Sequence, residues 1–105
     1  TIKNIGLENT SITGLSLVGG LTGLNQGGLI ENSYITGTIN GSYSFIGGLV
    51  GFNQNGTINN SYAIGTVNGT ASGNTAIGGL IGWNDTGAIN NSYATGYVNG
   101  SSQVG

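Results

Sequence analysis

Few side chains in this 105-residue chain can do chemistry. The acids are Glu8, Glu31 and Asp85, the one base is Lys3, and His and Cys are missing altogether. Glycoside hydrolysis needs two carboxylates facing one bond. The three acids instead stand at non-equivalent places along the chain, as solvated surface groups do, so no enzymatic activity is expected. Without His or Cys, ordinary zinc, copper, haem and iron–sulfur sites are excluded, and so is a disulfide framework. Calcium binding of the repeat-in-toxin kind needs an Asp recurring between glycines. Asp85 occurs once, and its matching positions hold Gln26 and Gln54. No metal or other cofactor is therefore expected. A single Lys with no Arg excludes a basic nucleic-acid footprint, and a formal charge of −2 steers no partner strongly.

The uncharged candidates are more numerous. Leu24, Phe52 and Trp83 share a context in which size varies and apolar character does not, so they form a candidate ligand-facing stripe, suited to stacking on a sugar ring. Tyr34, Tyr62 and Tyr93 recur identically, as do Asn32, Asn60 and Asn91. Among the N-x-S/T sequons, Asn40, Asn68 and Asn99 fall at one repeated Asn-Gly, where a turn would project a glycan outward. Gly-Gly-x-x-Gly runs lack the spacing and the Lys-Ser/Thr ending of a phosphate loop. A flat threonine array of the ice-binding kind, begun at Thr36 and Thr38, breaks at Ile64 and Tyr97.

The elements that must position these residues follow from composition and from repetition. Gly alone contributes 23 residues and Pro none. Gly costs about 1 kcal/mol in a helix interior, and Asn, Ser and Thr are poor helix formers too. The apolar residues are mainly Ile, Leu, Val and Tyr, which suit strands, and Gly and Asn punctuate them as turns do. Three blocks recur in order. The first is Val18-Gly19-Gly20-Leu21-Thr22-Gly23-Leu24-Asn25, repeated from Ile46 to Asn53 and from Ile77 to Asn84. The second is Ile30-Glu31-Asn32-Ser33-Tyr34, repeated from Ile58 and from Ile89; the third is Gly37-Thr38-Ile39-Asn40-Gly41, repeated from Gly65 and from Gly96. The spacing is 28 residues from Val18 to Ile46 and 31 from Ile46 to Ile77, and the difference falls in one variable segment after the Asn-Gly.

A period near 28 with short apolar blocks predicts an all-β, parallel β-solenoid (β-helix) of about three and a half stacked rungs of 27–31 residues, each with two or three strands. The array runs as a partial rung over 1–17, rungs over 18–45, 46–76 and 77–103, and the start of another at 104–105. Each rung would bury side chains such as Ile46, Leu49, Val50, Phe52, Ile58 and Val67. Paired glycines at 19–20, 47–48 and 78–79 predict sharp corners or close backbone approach. In-register stacking would build an amide ladder from Asn32, Asn60 and Asn91 and an aromatic stack from Tyr34, Tyr62 and Tyr93. The competing fold is an antiparallel sandwich or meander with Asn-Gly hairpin turns at 40–41, 68–69 and 99–100, which would not set identical residues side by side.

These blocks resemble the GLUG repeat, whose pattern is G-G-L-x-G-x-N, then I-x-N-S-Y-A-T-G, then V-x-G. It stands here as Gly79-Leu80-Ile81-Gly82, Ile89-Asn90-Asn91-Ser92-Tyr93-Ala94-Thr95-Gly96 and Val98-Asn99-Gly100. The middle unit departs at Ile64, the first at Leu29–Glu31 and Ile35. The resemblance implies location more than chemistry. Such repeats occur in large secreted or cell-surface proteins of bacteria and some archaea, among them adhesin-like and haemagglutinin-like proteins and non-catalytic parts of immunoglobulin A proteases. It implies an extracellular structural or adhesive module and brings no catalytic residues.

A solenoid has two open faces, each a template for another strand, and no cap is evident in the sequence at either. Self-association through those faces is expected, as a rigid rod or end-to-end filament; a glycan or a host surface is the alternative partner. No stretch approaches 18 uninterrupted apolar residues, so no membrane insertion is expected, and the first 20 residues lack a signal-peptide pattern. The start at Thr1 reads as a mature product or a segment of a longer precursor.

Overall fold

A computed structural model describes residues 1–69 and 76–100. The chain winds as a parallel β-solenoid of about three turns. The lowest, partial rung holds β1 (Ile2–Lys3) and β2 (Gly6–Gly14). The second holds β3 (Thr22–Gln26), β4 (Leu29–Glu31) and β5 (Tyr34–Gly41). The third holds β6 (Ile46–Gly47), β7 (Val50–Gln54), β8 (Thr57–Asn59) and β9 (Tyr62–Gly69). The fourth repeats it with β10 (Ile77–Gly78), β11 (Ile81–Asp85), β12 (Ala88–Asn90) and β13 (Tyr93–Asn99). A complete rung thus has four strands rather than two or three, because the Gly-Gly pair splits the first block into two. The second rung keeps only a bridge, Val18 on Ile46, where the others have a strand pair.

Strands stack in four columns, β1-β4-β8-β12, β3-β7-β11, β6-β10 and β2-β5-β9-β13, all parallel. Register sets equivalent residues over one another: Ile30, Ile58 and Ile89, Leu24, Phe52 and Trp83, Asn40, Asn68 and Asn99. The Asn-Gly pairs at 40–41 and 68–69 end β5 and β9, the longest strand of each of their rungs, and make no hairpin. The start of a new unit at 104–105 and most of the variable segment 70–76 lie outside the described residues.

The core is a column of aliphatic side chains inside the coil. Ile30, Ile46, Leu49, Val50 and Ile58 are 0% exposed. Each is worth about 1.5–3 kcal/mol buried, and each needs the rungs above and below. Ile89, in the Ile58 column of the uppermost described rung, is 41% exposed, with no described rung above it. Phe52, expected among the core residues, points outward and is half-buried. It occupies an outward position of β7, while its neighbour Asn53 turns in.

The Gly-Gly pairs are places of close approach. A Cβ on Gly47 would run into the Val50 carbonyl of its own rung and into the Ile81–Gly82 backbone of the rung above. Gly65 combines such contact with a left-handed backbone, φ 141°, and its missing Cβ would collide with the Gly37 carbonyl below.

Candidate functional site

The repeated polar residues form columns, and the columns differ in what holds them. The inner one runs through Asn25, Asn53 and Asn84, the first two buried and Asn84, in the uppermost rung, exposed. Asn25 Nδ2 donates to Asn53 Oδ1 at 2.7 Å, and Asn53 Nδ2 to Asn84 Oδ1 at 2.7 Å. Each Nδ2 also donates to a carbonyl three residues on, Gly28, Gly56 or Gly87, at 3.2, 3.1 and 2.9 Å. Only the nitrogen can do this, so every oxygen in the column faces down and every amide points the same way. Asn53 is fully buried and uses both of its N–H groups and its oxygen.

Asn32, Asn60 and Asn91 do not form the expected ladder. They are exposed corner residues with φ of 51, 49 and 51°, and Asn4 continues the column at 56°. Asn is selected here because it tolerates the left-handed region. Their side chains make no hydrogen bonds to one another among the described residues. The next residue carries the ladder instead. Ser33 and Ser61 are buried; each donates Oγ–H to the carbonyl two residues back and accepts the backbone N–H of the rung below.

Asn40, Asn68 and Asn99 make a second amide column, running the other way. Asn68 Nδ2 donates to Asn40 Oδ1 at 2.9 Å and Asn99 Nδ2 to Asn68 Oδ1 at 2.8 Å. The sequence reading placed these sequons at a glycan-bearing turn. The structure puts Asn40 and Asn68 within strands, half-buried, and it commits the nitrogens of Asn68 and Asn99, the atoms a glycan needs, to the ladder. Two further columns were not singled out by sequence reasoning: Asn90 donates to Asn59 at 2.8 Å and Gln26 to Gln54 at 3.1 Å.

Tyr34, Tyr62 and Tyr93 stack with centroids 5.0 and 5.1 Å apart and ring planes within 6° and 5°. At the lower end Tyr34 donates its hydroxyl to Glu8 at 2.7 Å. That hydrogen bond, then desolvation and the carboxylate's charge, hold the phenol above its ordinary value of 10.0. Glu31 pairs with Lys3 at 3.6 Å, and Asp85 continues the column of Gln26 and Gln54. The three acids thus serve different columns.

The Leu24, Phe52 and Trp83 stripe is aligned rung on rung, with Trp83 48% exposed. It has a fourth member the sequence did not flag. Phe45 meets Trp83 edge-on at 4.6 Å and Phe52 at 5.2 Å, while Phe52 and Trp83 tilt at 32° with centroids 5.7 Å apart. Phe45 comes from the variable segment, whose composition gives no signal of the contact.

An apolar cavity of about 420 Å³ opens beside the uppermost rung, lined chiefly by Ala63, Leu80, Ile81, Ile89, Ala94 and Val98. In the second rung Ile35 fills the equivalent place, its Cδ1 occupying the space a Cβ on Gly20 would need; Ala63 and Ala94 stand in its column above.

The GLUG motif family model matches residues 14–40, 43–68 and 73–99. The chain belongs to the GLUG-motif family. Neither the curated proteins nor the solved structures give a match.

Proposed function

We propose that this chain is a non-catalytic structural module of an extracellular or cell-surface protein, a segment of rigid β-rod that serves as an adhesin stalk or a surface fibre. The observation that carries the reading is where the polar side chains are spent. Amides and tyrosine rings that would line a site are bonded to, or stacked on, their own equivalents one rung away, and the buried serine hydroxyls are taken up by backbone groups. Such like-on-like ladders stiffen an in-register parallel stack. The extracellular placement rests on the settings in which GLUG repeats occur. Electron microscopy of the native material tests the reading: stalks or fibres of uniform width are expected, and compact particles overturn it.

A second reading rests on Phe45, Phe52 and Trp83. An aromatic surface that crosses the rungs, half-buried at Phe45 and Phe52 and exposed at Trp83, suits a carbohydrate or a host surface. Glycan-array binding abolished by Trp83→Ala supports it, and an array without hits removes it.

A further inference from the structure

We propose that the outer face of the β10–β13 rung seats the β1–β2 rung of a second copy of this chain. The proposal rests on the rod reading and names how rods join.

The outer faces of the lowest and the uppermost described rungs are not alike. The upper one is hollow, since Ala94 and Ala63 leave the cavity open where Ile35 fills it below. The lower one carries Ile2, Leu7 and Ile12, half-buried side chains that pack upward on the core and leave their undersides open. The register within the chain shows where each would land. Lys3 stacks on Glu31, Gly6 on Tyr34, Leu7 on Ile35, Ile12 on Ile39 and Thr13 on Asn40. Carried along the same columns to the upper face, the second copy's Leu7 stands over Ala94 and its Ile12 over Val98. The large side chain meets the small one, and the second copy's Gly6 leaves room above the Tyr93 ring.

Polar groups match as well. Asn90 and Asn99 each donate their Nδ2 downward, to Asn59 and Asn68, which leaves their Oδ1 atoms as the acceptors of the upper face. The groups arriving in those two columns are the second copy's Lys3 ammonium and Thr13 hydroxyl, both donors. An inverted copy, upper face on upper face, would set hollow against hollow and leave the Leu7 knob unused. The joint is therefore head-to-tail, the heterologous contact that propagates into an open filament.

Sedimentation velocity over a range of concentrations tests this with two variants. Ala94→Glu puts a carboxylate in the hollow, and Leu7→Glu puts one on the knob. The 105-residue chain is expected to form a concentration-dependent ladder of species. Each variant alone should associate about a hundredfold more weakly or worse, because the carboxylate is buried without a partner. An equimolar mixture of the two should give a 1:1 dimer and stop there, since only one sound knob and one sound hollow remain. Circular dichroism checks that each variant keeps its sheet; if Leu7→Glu unfolds, Lys3→Glu, at an exposed position, replaces it. A wild-type chain that stays monomeric while retaining sheet overturns the seat and leaves the rod reading standing. Association that survives either variant, or a mixture that forms no dimer, overturns it as well.

Discussion

Asn25, Asn53 and Asn84 line the inside of the coil; Asn32, Asn60 and Asn91 stand at an outer corner. Both sets are invariant over the three rungs. The inner amides are held by what their side chains bond to, two donations and one acceptance at Asn53. The outer ones are held by what their backbone does, a left-handed φ near 50° in every rung. Repetition alone does not separate these causes, because a stacked fold repeats any local requirement. The neighbouring corner shows the looser case. Gly27, Asn55 and Thr86 share a left-handed column with three different residues, at φ of 68, 55 and 54°.

Substitution pulls the two columns apart. The largest effect belongs to Asn53→Ala. It strands the Asn25 donor inside the coil, takes the partner from the Asn84 oxygen and leaves the Gly56 carbonyl with only the Ala88 N–H, and should cost roughly 2–3 kcal/mol in urea unfolding. Asn53→Gly should be no milder. Asn60→Ala should cost about 1 kcal/mol, the penalty of a Cβ in the left-handed region, while Asn60→Gly stays within about 0.5 kcal/mol of the parent. Equal responses of the two columns to Gly would break the distinction drawn between them.

The tyrosine column lies between these cases, since its rings stack face to face and are half-buried at Tyr34 and Tyr62 but exposed at Tyr93. Tyr62→Leu removes two stacked pairs at once and should cost about 1–2 kcal/mol in the same measurement. The smallest effect is at Glu8. Folding holds the Tyr34 proton more tightly than the unfolded chain does, so its contribution is intact below the ordinary phenol range and fades as pH climbs through the raised value. Glu8→Gln should move the ultraviolet titration of Tyr34 downward and flatten this alkaline loss. An unchanged titration removes Glu8 as its cause.

Period, parallel register and most of the core were legible in the sequence, because identical residues at a fixed spacing leave one economical way to stack. Ile46, Leu49, Val50, Ile58 and Val67 are buried as their apolar character predicts. Phe52 was not, since alternation along β7 turns it outward and brings Asn53 in. Asn53 in turn reads as a turn residue by composition; only the three-residue reach to Gly56 shows why it is inside. The Asn-Gly pairs at 40–41 and 68–69 carry a strong local hairpin signal that stacking overrides. Phe45 belongs to the variable segment, where nothing repeats and a contact across rungs leaves no pattern.

The unequal rung lengths have a mechanical consequence. Backbone hydrogen bonds lie along the coil axis, so a pull on the two chain termini peels rungs in turn. At about 3.3–3.6 Å of contour per residue, the stretch from Val18 to Ile46, 28 residues, pays out about 95 Å, and the stretch from Ile46 to Ile77, 31 residues, about 105 Å. A single tethered molecule under load would lengthen in steps whose sizes report which rung was released, so the unequal repeat spacing writes a length code into the force trace of an otherwise uniform rod.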